Sequence, residues 1–296
     1  MIEGERISFH DQIQRNKIKS VILIGIIIVF FILLGYVIAI LVDPSYFFII
    51  MIISIIFSLA YTWYGYYNSD KIALRSVGAY PASSSIHRQY FNSVEGLCLA
   101  AGLPMPRLFV MPGEQINAFA SGRDLKNAVV CVTEGALRKL NKQEIEGVLA
   151  HELSHIANFD IRFMTLTAVL VGMVAIIAEI FLRSMWMGGR DREGRHNAVL
   201  LIIGMLLSIL APIVVQLVQL AVSRKREYVA DAHGVKLTRY PQGLINALSK
   251  IRDDKPMKVN KAVASLFLSD PFKRKIQTIF STHPPLETRI EVLQRM

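Results

Sequence analysis

Two histidines and a glutamate near the middle of the chain have the types and spacing of a metal-dependent hydrolytic site. His151, Glu152 and His155 occur together in the segment HELSH. On a helix, side chains four residues apart point from one face, so both imidazoles can hold a single cation while Glu152 lies beside the remaining coordination position. The pattern predicts hydrolysis of a peptide bond, with Glu152 accepting the proton of the attacking water. Because so short a pattern also arises by chance, the alternative is a helix with two surface histidines and a salt-bridging glutamate.

A second segment, SRKREYVADAHG, supplies a third candidate ligand. Glu227 and Asp231 are four residues apart on a predicted short helix that ends at Gly234. Two histidines and one glutamate form a known catalytic zinc set, which leaves a fourth position for water. Asp231 is then expected to accept the outer ring N–H of His151 and to fix the orientation of that ring. The alternative is that both acids only neutralise the basic residues 224–226.

The segment 141–158 has independent signals of a helix, which the HELSH pattern requires. Asn141 is a suitable N-terminal cap, and Glu144 stands three residues later, as in a capping box. Apolar residues then recur at helical spacing. They are Ile145, Val148, Leu149, Leu153 and Ile156.

The chain has the composition of a membrane protein. Hydrophobic residues make up 53% of its 296 residues and its mean hydropathy is +0.41, whereas a soluble domain has about 45–50% apolar residues. Residues 18–42 and 46–67 are each long enough to cross a hydrocarbon core of roughly 30 Å, so they predict a transmembrane hairpin. Two further apolar runs, 163–182 and 198–222, predict a second membrane-associated hairpin.

The basic residues predict the orientation of the first hairpin. They precede the first apolar run at 15–19, follow the second run at 71–75 and are missing from the connecting turn 43–45. By the positive-inside rule, both termini and the catalytic site lie on the cytoplasmic side. Four arginines between the later runs oppose this orientation if the second hairpin spans the bilayer. Whether that hairpin crosses the bilayer completely is therefore left open. They are Arg183, Arg190, Arg192 and Arg195.

These elements predict an integral membrane protein, mostly α-helical with a small β-sheet, and with a discontinuous catalytic domain. Within the catalytic part, a helix is expected to stop at Gly102, and RLFVMP and NAVVCVTEG are expected to form short strands on either side of an NAFA segment. The four regions are an N-terminal hairpin (1–70), a first catalytic half with the HELSH helix (71–161), a second hairpin (162–222) and a second catalytic half with the third ligand (223–296).

Charge and cysteine content narrow the function classes. The formal net charge is +10, yet no motif that reads RNA or DNA accompanies it, and the basic residues mainly flank apolar runs. Juxtamembrane anchoring therefore explains the charge better than nucleic-acid binding. Cys98 and Cys131 both lie in apolar stretches, which predicts buried, reduced thiols rather than a disulfide or a cysteine zinc site.

Several segments together resemble the HtpX-type membrane metalloproteases, which are related to the Ste24-type CAAX prenyl proteases. The matching pieces are HELSH, EYVAD, NAFASG at 117–122 and THPP at 282–285, with two apolar pairs in the same order over nearly the whole chain. The resemblance implies a zincin-like catalytic domain of the gluzincin type, in which His151, His155 and Glu227 hold one zinc ion (Zn²⁺). It also implies quality control of membrane proteins, tied to stress, in the cell (inner) membrane of a prokaryote.

The same resemblance suggests two further residues. His283, before the C-terminal prolines, falls where a histidine of the family can hydrogen-bond the oxyanion, and its alternative is a plain loop histidine. Asn117 resembles a substrate-lining residue on an edge strand that pairs with the peptide backbone. Its alternative is an asparagine that forms a turn or caps the backbone locally.

The expected partners are the lipid bilayer and misfolded or membrane-proximal proteins, while the oligomeric state is left open. One alternative function is a processing peptidase for a specific, for example lipidated, precursor. A different class is a non-catalytic membrane scaffold with a structural metal, which would leave Glu152 without a purpose. His233 is expected on the surface, because it points to another face of its helix than Glu227 does. The role of Glu179, inside the third apolar run, stays open.

Overall fold

The computed structural model describes residues 9–42, 44–168, 179, 204, 224–257, 266–268 and 284–296. The predicted second hairpin therefore lies outside the described residues, apart from 163–168 and the single positions 179 and 204. Predicted site residue His283 also lies outside them. The domain boundaries drawn from the sequence remain predictions.

The N-terminal region forms two long apolar helices, as predicted. Helix α1 is Phe9–Val42 and helix α2 is Phe47–Tyr67, and a short turn at Pro44–Tyr46 joins them. Both contain a stretch long and apolar enough to cross a membrane. The helices run antiparallel, because Phe31 meets the ring of Phe57 at 5.1 Å while Tyr36, further along α1, meets Phe47 at 6.0 Å.

A small mixed sheet forms the centre of the catalytic part. Its strands are β1 (Tyr80–Pro81), β2 (Arg107–Met111), β3 (Ala118–Ser121) and β4 (Val129–Thr133). Their order is β1-β2-β4-β3, in which β2 and β4 are parallel and the other pairs are antiparallel. Strand β4 is buried throughout, so the RLFVMP and NAVVCVTEG strands predicted from sequence are confirmed as the middle of the sheet.

Further helices of the described structure flank the sheet or follow it in the chain. They are α3 (Ser69–Ser76), α4 (Arg88–Ala101), α5 (Glu134–Lys139), α6 (Lys142–Ala157), α7 (Arg224–Thr238), α8 (Pro241–Asp253) and α9 (Leu286–Leu293). Gly102 ends α4 with a left-handed backbone, as predicted. Residues 160–168 are also helical. The chain is thus mostly helical with a small mixed sheet.

Helix α6 is the central helix of the catalytic part and begins where the sequence predicts. The side chain of Asn141 accepts the backbone N–H of Glu144, and the side chain of Glu144 accepts the backbone N–H of Asn141, which confirms the capping box. The helix packs against α4, α7, α8 and β3. Its approach to α8 is close, because a Cβ added to Gly147 would lie 2.7 Å from the backbone nitrogen of Leu244.

The prediction that Gly234 ends its helix is wrong. Helix α7 continues through Gly234 to Thr238. Gly234 is buried against α6, where an added Cβ would lie 3.2 Å from the backbone nitrogen of His151. The glycine therefore allows two helices to approach closely, which brings the two halves of the site together.

Hydrophobic clusters lie on both sides of the sheet. One contains the inner faces of α4, α6 and α8, with Val148, Leu149 and Leu248 among its buried members. The other joins α1 to the sheet and to 160–168, because Leu23 and Ile27 pack in one cluster with Phe119 and Phe163. Cys98 and Cys131 are both buried and free, as predicted. The membrane hairpin and the catalytic part therefore share a core.

Candidate metal centre

His151 and His155 project from the same face of α6. Their Nε2 atoms are 3.2 Å apart, and the ring planes are nearly perpendicular, with centroids 4.8 Å apart. Both side chains are buried. One turn of helix thus presents two imidazole nitrogens to a common point, as the four-residue spacing requires.

Glu227 reaches the same point from α7. Its Oε2 lies 3.7 Å from Nε2 of His151, and its Oε1 lies 3.5 Å from Nε2 of His155. One ligand atom from each of the three residues falls within 4.8 Å of the others. The structure therefore brings together the three side chains that the sequence predicts as ligands.

The outer nitrogen of each ring meets a buried carboxylate. Oδ1 of Asp231 lies 2.9 Å from Nδ1 of His151, and Oδ2 of Asp160 lies 3.1 Å from Nδ1 of His155. The contact of Asp231 with His151 is the one expected from sequence, whereas sequence reasoning missed Asp160. A positive φ of 58° at Phe159, just after α6, turns the chain so that Asp160 faces back towards the ring. Such a conformation in a bulky residue has no sequence signal.

The arrangement fits a zinc ion. When each Nδ1 carries the proton that the neighbouring carboxylate accepts, each Nε2 presents its lone pair to the common point. Two Nε2 atoms 3.2 Å apart, with a carboxylate beside both, need a proton or a metal cation between them. Ligand atoms roughly 2.0–2.2 Å from a tetrahedral zinc are separated by roughly 3.3–3.6 Å. The two Nε2 atoms are 3.2 Å apart and lie 3.7 and 3.5 Å from the two different oxygens of Glu227, so the three side chains come close to that spacing. His151, His155 and Glu227 could therefore hold the metal.

The electrostatics of the two rings also favour a cation. Burial lowers the pKa of His151 and the nearby Arg289 lowers it further, against the opposing effect of Asp231, so the neutral ring is favoured. Burial alone would lower the pKa of His155, but Asp160, Glu227 and Glu152 together raise it to about 9. These carboxylates favour a positive charge at the inner nitrogen of His155. Either a proton or a metal cation can supply that charge.

Glu152 lies beside the two histidines but is not one of the three converging ligands. Its side chain is buried, and within the described residues its Oε1 has no hydrogen-bond partner. The carboxylate accepts the backbone N–H of Ala120 on β3. Burial raises the pKa of Glu152 to about 7, against the opposing effects of His155 and Arg289. A carboxyl group with this pKa can both take and release a proton near neutral pH.

Comparison with known proteins identifies the family. The profile described as Peptidase family M48 matches residues 86–296. The chain belongs to Peptidase family M48. It is 47% identical over 248 residues to the Protease HtpX homolog of Caldanaerobacter subterraneus subsp. tengcongensis, covering 81% of this chain and 83% of that protein. The Protease HtpX homolog of Dictyoglomus thermophilum is 40% identical over 98% of this chain and 95% of its own length. Among solved structures, S. mikatae Ste24p matches with a TM-score of 0.49 and 22% identity, covering 94% of this chain and 65% of that chain.

This M48 chain is accordingly a membrane metalloprotease of the HtpX type, and the family implies a zinc cofactor. The two apolar helices α1 and α2 fit a membrane protein. The cluster of His151, His155 and Glu227 fits the metal.

A second residue that sequence reasoning missed in this M48 peptidase is Arg289, on α9. Its side chain is fully buried and its guanidinium pairs with Asp231 and lies near Glu227. Burial alone would raise the pKa of Asp231, but Arg289 and His151 lower it below its usual value. Nothing in the local sequence marks Arg289, because most arginines on amphipathic helices face solvent.

Asn117 is buried and lies directly before β3. Its Oδ1 accepts the backbone N–H of Ala118 at 3.0 Å, which is the local capping contact named as its alternative. Strand β3 is at the end of the sheet, yet its outer edge is partly paired. The backbone N–H of Leu268 donates to the carbonyl of Ala118 at 2.8 Å, next to a bridge between Phe119 and Phe267.

His233, which was expected on the surface, is half-buried against α6. Its Nδ1 lies 3.3 Å from Oγ of Ser154. It does not belong to the group of three converging ligand atoms. The sequence argument placed it on a different face of α7 from Glu227, but that other face also packs against protein.

Proposed function

We propose that this chain is a membrane-bound zinc endopeptidase that cleaves membrane or membrane-proximal proteins at the cytoplasmic face of a prokaryotic cell membrane, in membrane-protein quality control. His151, His155 and Glu227 hold one zinc ion per chain, and Glu152 is the general base. The observation that supports this most directly is the convergence of the inner nitrogens of two imidazoles and a carboxylate beside a buried glutamate. The quality-control role rests on the likeness to HtpX-type proteases.

A zinc ion bound there supplies a Lewis acid for the scissile carbonyl and a water of lowered pKa. The side chains of the protein position the metal ligands and transfer the proton. Asp231 and Asp160 hold the two rings in the tautomer that leaves Nε2 free. Glu152 takes the proton of the attacking water and passes it to the leaving amine, for which a pKa of about 7 is well suited.

The substrate is proposed to lie beside β3. This strand is at the end of the sheet and its Ala120 N–H contacts Glu152, so an extended peptide along this side lies close to the base. Asn117 is proposed to line this path and His283 to stabilise the oxyanion. Residues 266–268 lie along part of the same edge, so a substrate strand would have to pair beyond them or displace them.

The proposed orientation is supported by contacts between the residues around the site and the first hairpin. Arg123 donates to the carbonyl of Tyr67 and places its guanidinium 4.8 Å from that ring, and Arg162 lies 5.2 Å from the ring of Tyr66. These tyrosines end α2, at the side where α1 has its basic residues. Arg162 comes shortly after His155 in the chain, just beyond the turn at Asn158 and Phe159. These contacts support the proposal that the site lies near the cytoplasmic surface of the bilayer.

Removal of the metal is expected to abolish cleavage. The test uses the purified full-length protein, reconstituted in vesicles, with a membrane-anchored reporter that has an unfolded segment next to its anchor. A zinc-chelating phenanthroline should reduce cleavage to background, and addition of one zinc equivalent per chain should restore it. The non-chelating phenanthroline isomer is the control and should have no effect. Full cleavage by protein that metal analysis finds free of zinc would contradict the proposal.

Anchoring of the substrate is expected to raise kcat/KM. Confinement to the same bilayer raises the effective concentration of the cleavable segment at the site, by on the order of 10-fold or more. The measurement compares the anchored reporter with the same segment released from its anchor, both in inside-out membrane vesicles. A matched reporter with the segment on the opposite face of the bilayer should remain intact. Equal cleavage of anchored and released segments would refute the preference for membrane-proximal substrates.

A further inference from the structure

Arg289 is the largest of the fully buried side chains in the described residues. An arginine stays charged at any physiological pH, so its burial is costly unless acceptors surround the guanidinium. Arg289 lies on α9, beside the metal centre. The group it meets there is the pair of carboxylates on α7.

The guanidinium donates two hydrogen bonds to the carboxylate of Asp231. Its Nε lies 2.9 Å from Oδ2 and its Nη2 lies 2.6 Å from Oδ1, which is the fork geometry of a bidentate arginine–carboxylate pair. Oδ1 also accepts Nδ1–H of His151. Nη2 also lies 3.3 Å from Nδ1 of His151, so the guanidinium contacts both the ring and the carboxylate that orients it.

The third nitrogen of the same side chain extends to the ligand carboxylate. Nη1 of Arg289 lies 3.4 Å from Oε2 of Glu227 and donates to the backbone carbonyl of Leu268 at 3.1 Å. Glu227 and Asp231 are four residues apart, on one face of α7, so a single planar guanidinium spans both. A lysine ammonium, as one point charge, cannot make these contacts together.

We propose that Arg289 is a positioning residue of the metal centre, which fixes Asp231 and Glu227 and, through Asp231, the ring of His151. The proposal rests on the metal site proposed above. It also ties that site to the sheet, because Leu268, which accepts from Arg289, donates its own N–H to Ala118 of β3. One side chain thus sets the distance between the ligands on α7 and the strand beside the base.

The test is the zinc affinity of Arg289→Lys and Arg289→Met in the full-length protein. Metal-free protein is titrated with zinc against a chromogenic chelator, and the absorption of the cobalt-substituted protein reports the ligand geometry. Loss of an outer contact to a ligand lowers metal affinity by about 10–100-fold, and we expect this loss for Arg289→Met, with only partial recovery in Arg289→Lys. The cobalt absorption bands should change in both variants.

Arg295, an exposed arginine just beyond α9, provides the matched control. Arg295→Lys and Arg295→Met should keep the zinc affinity within about twofold. Should Arg289→Met fail to fold, Arg289→Lys, which keeps the charge, decides the question. Wild-type zinc affinity and an unchanged cobalt spectrum in a folded Arg289 variant would overturn the proposal. If both Arg289 variants fail to fold with or without zinc, Arg289 is needed only for folding, and that result would also overturn the proposal. If the wild-type protein itself binds no zinc, the proposed function fails instead.

Discussion

Glu152→Gln is expected to lower kcat by about 10²–10⁴-fold while zinc stays bound, because the step it removes is general-base proton transfer. The glutamine amide has almost the same shape but cannot accept the proton of the attacking water. Glu152 is not one of the three converging ligand atoms, so the metal should keep its ligands. The measurement is kcat on the anchored reporter together with the zinc content of the same preparation.

Glu146→Gln is the matched control for this substitution, since it makes the same chemical change on the outer side of α6. Glu146 is partly exposed, with Lys142 as its ion-pair partner, and it should keep the wild-type kcat within about twofold. A Glu152→Gln enzyme that cleaves at the wild-type rate would require another base. Loss of zinc in that variant would show that Glu152 holds the metal centre together, contrary to its proposed role.

The parts of the site that sequence predicted are those governed by local rules. The spacing of His151 and His155 fixes their common face once 141–158 is a helix, and the capping box marks where that helix begins. Glu227 and Asp231 likewise follow from helical spacing on α7. That these two helices meet could be inferred only from the chemistry, because two histidines do not complete a zinc shell.

The parts that sequence could not predict depend on tertiary packing. Arg289 is separated from Asp231 by 58 residues, and in isolation it resembles any surface arginine of an amphipathic helix. Asp160 reaches His155 only because Phe159 has a left-handed backbone. The sequence predicts that Gly234 ends a helix, because glycine is favoured just after the last helical residue. In the structure, the missing Cβ of Gly234 instead allows α7 to lie against α6.

The pairing along the edge of β3 also depends on tertiary packing and could not be predicted from the sequence. The resemblance to the family implies an edge strand at the NAFA segment, and β3 does lie at the end of the sheet. The contact of Phe119 with Phe267 joins residues far apart in the chain, so no local pattern predicts it. Which segments cover an edge is decided by the whole fold rather than by the strand itself.

Glu227→Ala is expected to remove both zinc and activity, which separates a ligand from a base. Truncation leaves two imidazoles as the only converging donors in the described site, so zinc affinity should fall by more than the about 100-fold that outer contacts contribute. In the wild-type protein, Oε2 of Glu227 lies close to both Nη1 of Arg289 and Nε2 of His151. The substitution removes this negative charge, so the guanidinium of Arg289 repels the bound cation more strongly. Equilibrium zinc titration and cleavage of the anchored reporter measure the two losses on one preparation.

Lys236→Ala, at an exposed position of the same helix, is the control and should keep both zinc and cleavage. Excess zinc should restore part of the activity of a Glu227 variant if the defect is metal affinity, whereas no zinc concentration should restore Glu152→Gln. That contrast is the sharpest test of the assignment, because each carboxylate lies within the same buried pocket and only their orientation distinguishes ligand from base. If Glu227→Ala retained stoichiometric zinc and normal cleavage, the third ligand would have to come from elsewhere, and the convergence of α6 and α7 would no longer explain catalysis.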